Sequence, residues 1–159
     1  MLRIIPARTQ SEVDIIRVPM QSYVNDINVD LSFQNVDAEM AQLPGEYQPP
    51  SGELLLALVN DQPIGCVALH QIGLASHAEV KRLFVRPEAR GTGAGRELLR
   101  AVTQVAKVLG YKRIVLDTMP TMKAAIGLYE ALGFKQVPAY WNNILPVIYF
   151  GKDLTELSA

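Results

Sequence analysis

Residues 90–96, Arg90-Gly91-Thr92-Gly93-Ala94-Gly95-Arg96, constrain this chain more than any other stretch. Behind them lies a hydrophobic run, AEVKRLFV, ending in Val85, and ahead of them lies RELLRAVTQVAKVL, in which Leu98, Leu99, Val102, Val105, Ala106 and Leu109 share one helical stripe. The pattern predicts a strand, a glycine turn and an amphipathic helix stopped at Gly110. The first N–H groups of a helix have no partner inside it and carry the positive end of its dipole, so such a turn is suited to an anion. Glycine lets that anion approach the backbone with no Cβ in the way. The spacing rules out two common phosphate loops: no lysine follows Gly95, as a Walker loop requires, and the third glycine stands one place too early for a dinucleotide loop.

The rest of the chain reads as one mixed domain spanning 1–159. LRII is a strand. Val13, Ile16, Met20 and Tyr23 mark a helix over 10–24 that Pro19 ends or kinks. Phe33, Val36, Met40 and Leu43 mark a second, short helix before the loop LPGEYQPPSG. ELLLALVN and IGCVALHQI, joined by DQP, form a hairpin, and AEVKRLFV adds a third strand. KRIVLDT follows a helical crossover and therefore lies parallel to AEVKRLFV. A helix starting at Pro120, capped by Thr118 or Thr121, runs to Gly133, and QVPAY and ILPVIYFGKDL supply a last pair of strands. This order predicts an α/β or mixed α+β fold with one central sheet and helices on its faces. The terminal strand either completes that sheet or pairs with a second copy, making a homodimer.

Charge is segregated along the sequence. Seven acids and no lysine or arginine occupy 18–61, whereas 81–113 holds nine bases and two acids. The net charge of −1 argues against nucleic acid as a partner. A local basic zone suits a small polyanion and an acidic zone a cation, unless both are solvated helix faces. No apolar run approaches the roughly 20 residues that span a bilayer, and the N-terminus does not read as a signal peptide. The lone cysteine, Cys66, cannot form an internal disulfide, which makes the cytoplasm the expected location.

Two segments carry a resemblance. Arg90-Gly91-Thr92-Gly93-Ala94-Gly95 resembles the Q/R-x-x-G-x-G/A signature of the GNAT superfamily of N-acetyltransferases. MKAAIGLYEALGF is similar to the downstream N-x-x-A-x-x-L-Y-x-x-x-G-F element, with Ala125, Leu128, Tyr129, Gly133 and Phe134 in register and Met122 in place of the asparagine. The resemblance covers about residues 79 to 134. It implies a mixed sheet of six to seven strands in which the parallel pair AEVKRLFV and KRIVLDT splays to hold acetyl-CoA as acetyl donor, without a metal. By the same resemblance the diphosphate would lie on the backbone of Arg90, Gly91, Thr92, Gly93, Ala94, Gly95 and Arg96. The pantetheine arm would run along Leu83, Phe84 and Val85, with an N–H near Leu83 polarising the acyl carbonyl. Tyr129 is the implied general acid for the leaving thiolate. Glu79 is the implied base toward the amine, on the same face as Leu83 if the strand stays regular.

The implied acceptor is a small-molecule or peptide amine, cationic if the acidic stretch shapes its site. Another acyl-CoA as donor, or a CoA-binding sensor without chemistry, are the alternatives. His70 and His77 read as surface or hairpin residues, with His70 alternatively in the acceptor cleft. Cys66 reads as a buried strand residue. Of Tyr140 and Trp141, one packs and one floors a pocket. Asp117 either orients substrate or caps the next helix.

Overall fold

The alternating apolar pattern of residues 53–85 folds as three consecutive antiparallel strands, and the remaining elements are arranged around them. The computed structural model describes residues 1–26, 36–73, 76–141, 143 and 146–154, and of residues 23–26, 36, 37 and 40 the backbone alone. The elements are β1 (Leu2–Pro6), α1 (Gln10–Asp26), α2 (Val36–Ala41), β2 (Glu53–Val59), β3 (Gln62–Gln71), β4 (His77–Val85), α3 (Ala94–Val108), β5 (Arg113–Thr118), α4 (Lys123–Ala131), β6 (Lys135–Val137) and β7 (Ile148–Asp153). They build one seven-stranded mixed sheet in the order β1-β2-β3-β4-β5-β7-β6, with only β4 and β5 parallel. One face packs on α3 and α4 through Leu98, Leu99, Val102 and Tyr129. The other packs on α1 through Val13, Ile16 and Met20.

Several local expectations are corrected. The β2–β3 turn is Asn60-Asp61, both at positive φ, because a two-residue turn of that hand matches the strand twist; Gln62 and Pro63 already belong to β3. Helix α1 continues through Pro19 to Asp26. The second helix is only Val36–Ala41, and Phe33 lies outside the described residues. Helix α4 begins at Lys123 with Met122 as N-cap and no side-chain cap bond, so Pro120 precedes it, and neither threonine nor Asp117 caps it. The Thr118 hydroxyl instead meets Met122 Sδ at 3.6 Å. Strand β7 is inserted between β5 and β6, so the terminal apolar strand completes this chain's own sheet and both its edges are paired.

The sheet is irregular at β4. Cys66 faces Phe84 and Ala68 faces Lys81, so Arg82 and Leu83 together oppose Val67 alone, a β-bulge with Arg82 at φ +58. The extra residue reverses the alternation. Ala78 and Val80 before the bulge, and Leu83 and Val85 after it, all join the core under α3 and α4. Glu79 and Leu83 therefore lie on opposite faces, contrary to the expectation for a regular strand. β3 follows the bend closely at Gly65, where a Cβ would stand 2.6 Å from the Phe84 carbonyl oxygen.

The Arg82 side chain, buried on the α1 face, donates from Nε and Nη2 to both oxygens of Glu39 in α2, at 3.0 and 2.9 Å. A bidentate pair of this kind holds the guanidinium out of water and fixes the bulge residue. Removing one partner of a buried pair costs more than the pair contributes, because a desolvated charge is left behind. Glu39→Ala should lower the unfolding free energy by about 3 kcal/mol, read from urea denaturation; a loss below about 1 kcal/mol would show that the pair behaves as a surface contact.

Candidate active site

The bulge turns β4 away from β5. Their parallel pairing stops after His77–Arg113, Ala78–Ile114 and Glu79–Val115, and from Val80 to Val85 the β4 edge facing β5 has no strand partner. Two cavities occupy the resulting gap and share Leu83, Met122 and Tyr129 as walls.

The larger, a cleft of about 810 Å³, runs from Leu83, Phe84 and Val85 to the glycine turn, with its second wall formed by Thr121 and, on α4, by Lys123, Ala125 and Leu128. Gly91 and Gly93 have φ of +86 and +89, a conformation that side chains rarely adopt. Gly93 is the N-cap of α3 and brings no side-chain cap. Among the described residues, no backbone N–H of residues 91 to 96 donates to a backbone carbonyl. Bare amides at the head of a 15-residue helix, beside Arg90 and Arg96, form a donor set that fits a diphosphate. Gly91, Gly93, Ala94, Gly95, Arg90 and Arg96 all line the cleft as the sequence implied; the Thr92 side chain does not, its hydroxyl donating back to the Ala89 carbonyl at 2.6 Å. Arg90 is anchored at the strand end, donating from Nε to the Val85 carbonyl at 2.8 Å and lying over the Phe84 ring at 5.4 Å.

The smaller cavity, about 70 Å³, lies beyond Tyr129 and is lined by Lys81, Arg82, Asp117, Thr118, Trp141 and Asn143 among others. Tyr129 borders both cavities, with its ring tilted against Phe134 and Phe150 at 5.9 and 6.0 Å. The same side chain thus packs in the core and borders both cavities.

Glu79 does not line the smaller cavity. It is 6% exposed, and both its oxygens are engaged: Oε1 by His70 Nε2 at 2.8 Å, Oε2 by the Tyr140 hydroxyl at 2.5 Å. Burial works to raise this carboxyl, but the bond from His70, the charge of Lys81 and the bond from Tyr140 prevail and hold it below the usual range. His70 Nδ1 lies 2.7 Å from Glu46 Oε1, out of hydrogen-bond alignment. Tyr140 packs edge-on against Tyr149, whereas Trp141 lines the cavity and donates from Nε1 to Asp117 Oδ2 at 2.7 Å. Burial pushes the Asp117 carboxyl up, the bond from Trp141 opposes the rise, and the charge of Glu79 adds to it.

Folding largely neutralises the charge segregation of the sequence. Glu39 pairs with Arg82, Glu53 with Arg8 and Asp61 with Arg3, while Glu46 sits beside His70. The side chains of Asp26, Asp30 and Asp37 lie outside the described residues. Cys66 is fully buried, its Sγ 3.2 Å from the Arg82 carbonyl oxygen, and burial pushes its thiol up, so it offers no nucleophile to the gap. Among the described residues, no three His, Cys, Asp or Glu side chains gather as a metal site, and no helix is long and apolar enough to cross a membrane.

Comparison with known proteins gives the same frame. A family model described as the acetyltransferase (GNAT) family matches residues 20–134. The chain is 38% identical over 147 residues to an uncharacterised N-acetyltransferase of Schizosaccharomyces pombe, covering 91% of this chain and 90% of that one. Its fold matches the crystal structure of an acetyltransferase from Streptococcus agalactiae with a TM-score of 0.79 at 24% identity, over 96% of this chain and 98% of that one. It also matches the Salmonella typhimurium protein yncA, solved with its cofactor acetyl-CoA, with a TM-score of 0.68 at 21% identity, over 99% and 96% of the two chains. The glycine turn, the splayed strands and these likenesses converge: the chain belongs to the GNAT family of acetyltransferases.

Proposed function

We propose that this chain transfers an acetyl group from acetyl-CoA directly to a primary amine. The observation that carries the reading is the meeting of two cavities at Leu83, Met122 and Tyr129, one ending in bare amides and the other holding a carboxylate. The Salmonella neighbour, solved with acetyl-CoA, supports that compound as the donor. The bound cofactor supplies an acyl thioester. The amides of residues 91 to 96, with Arg90 and Arg96, hold its diphosphate; Thr92 takes part through its backbone alone. The open β4 edge at Leu83, Phe84 and Val85 pairs with the pantetheine arm, and an N–H of that edge near Leu83 donates to the acyl oxygen as charge builds there.

The Tyr129 hydroxyl protonates the departing sulfur, because a phenol remains protonated at neutral pH and this one stands where the two cavities meet. The acceptor arrives as a cation, since an alkylamine with pKa about 10.4 is free base in only about one molecule in a few thousand at pH 7. The anionic groups that meet it are those beside the smaller cavity, not the acids of 18–61, of which Glu39, Glu53 and Asp61 are already paired with arginines. Glu79 acts as a fixed negative charge behind that cavity, because both its oxygens are bound. A reducing cytoplasm suits the single buried thiol.

Calorimetry with acetyl-CoA, followed by thiol release across a panel of primary amines, tests the reading. Binding together with amine-dependent release is expected, and binding without release from any amine would leave a cofactor sensor. Tyr129→Phe should lower kcat at least about 100-fold with acetyl-CoA affinity within about twofold; unchanged turnover would remove Tyr129 from the chemistry. Gly93→Val forces a branched side chain into φ +89, a strain of about 1–3 kcal/mol, and should weaken coenzyme A binding about tenfold or more with native circular dichroism retained. Unaltered affinity would place the diphosphate away from this turn.

A further inference from the structure

With Glu79 engaged on both oxygens and absent from the acceptor cavity, the amine's proton needs another destination. Asp117 stands at the end of β5, beyond the last parallel pair with β4, where the open gap exposes its carboxylate to the acceptor cavity. Its Oδ2 is pinned by Trp141 Nε1 at 2.7 Å, with Asn143 Nδ2 at 3.4 Å. Its Oδ1 has no hydrogen-bond partner among the described residues. One oxygen is thus held and the other presented, on a carboxyl that shares its cavity with Tyr129.

We infer that Asp117 is the acceptor-side catalytic residue, with Oδ1 receiving the substrate ammonium and taking its proton. The inference rests on the acetyl-transfer reading above. The acceptor enters as an ammonium, and one proton passes to Asp117 Oδ1, freeing the nitrogen lone pair. The N–C bond then forms at the acyl carbon as the C–S bond breaks, and the Tyr129 hydroxyl protonates the sulfur. The second proton shed by nitrogen, as the amide forms, restores Tyr129 through solvent, and Asp117 releases its proton to water. The balance is one amide, one free thiol and one proton per turnover. The groups facing Asp117 are Glu79, Lys81 and Arg82 of β4, Tyr129 of α4, Tyr149 of β7 and Tyr140 of the preceding loop. The charge of Glu79 and the burial of Asp117 make it a better base than a free carboxylate, while Lys81 works against them.

The test compares wild type, Asp117→Asn, Asp117→Ser and Trp141→Phe in thiol release from acetyl-CoA, using whichever amine of the panel is turned over fastest. Acetyl-CoA affinity is measured for each protein. In the wild type, kcat/KM should change less than about threefold between pH 7 and 9, because the enzyme binds the ammonium form and removes the proton itself. Both Asp117 variants should lose about 100-fold or more at pH 7 with acetyl-CoA affinity within twofold. Their residual rate should climb about tenfold per pH unit, following the free amine. Trp141→Phe, which loosens the anchor and keeps the carboxylate, should retain the flat profile at a reduced rate. A wild-type profile that itself climbs tenfold per unit would overturn the assignment, as would an Asp117→Asn rate within threefold of wild type. If the slope appeared in Glu79→Gln and not in Asp117→Asn, the role would return to Glu79. A wild-type protein that fails to bind acetyl-CoA would instead overturn the acetyl-transfer reading, and this inference with it.

Discussion

The active-site gap depends on how one buried arginine is held. Arg82 takes a left-handed backbone conformation in the middle of a strand, where a non-glycine residue costs about 1–3 kcal/mol. Its guanidinium is received by both oxygens of Glu39 on the α1 face, a fixed geometry that an isolated bulge would lack. The bulge ends the β4–β5 ladder after Glu79, and the sheet opens there. Without the opening, β4 and β5 would satisfy each other's backbone groups and leave no edge for a ligand. One charge pair thus links α2 to the gap between β4 and β5.

The opening also divides labour between the two faces. Leu83, Met122 and Tyr129 belong to the α3 and α4 side, and Lys81, Arg82 and Asp117 to the other, so two cavities adjoin between the strands. Two carboxylates behind the acceptor cavity are set apart by their partners. Glu79 is stabilised as an anion by His70, Lys81 and Tyr140, whereas burial, and after it the charge of Glu79, raises Asp117.

Much of this was legible in the sequence, because local pattern determined it. The glycine turn, the α3 stripe, the hairpin and the parallel crossover each depend on residues near one another in the chain, and all appear, the hairpin with its turn shifted to Asn60-Asp61. The residues that line the larger cleft were equally legible, since the turn and the β4 strand that deliver them are contiguous. The bulge was not. Its only trace is the Lys81-Arg82 pair, two successive charges where a strand alternates, and charged residues also occur on solvated strand faces. That one unread residue moved Glu79 to the face opposite Leu83. Asp117 was singled out, but its role turned on tertiary contacts: the Trp141 anchor lies 24 residues on, and only the splayed sheet leaves its second oxygen open. The partners of the charge blocks were hidden for the same reason, as Glu39 finds Arg82 at a separation of 43 residues.

The central claim is that the open β4 edge and the amides of residues 91 to 96 together grip coenzyme A. Backbone amide NMR of isotope-labelled protein titrated with coenzyme A tests it at the atoms concerned. The account predicts the largest shifts at Gly91, Gly93, Ala94, Gly95 and Arg96, with a second group at Leu83 to Val85, and little change on β1, β2 or β6. Saturable binding that moves amides elsewhere and leaves the glycine turn unshifted would contradict it.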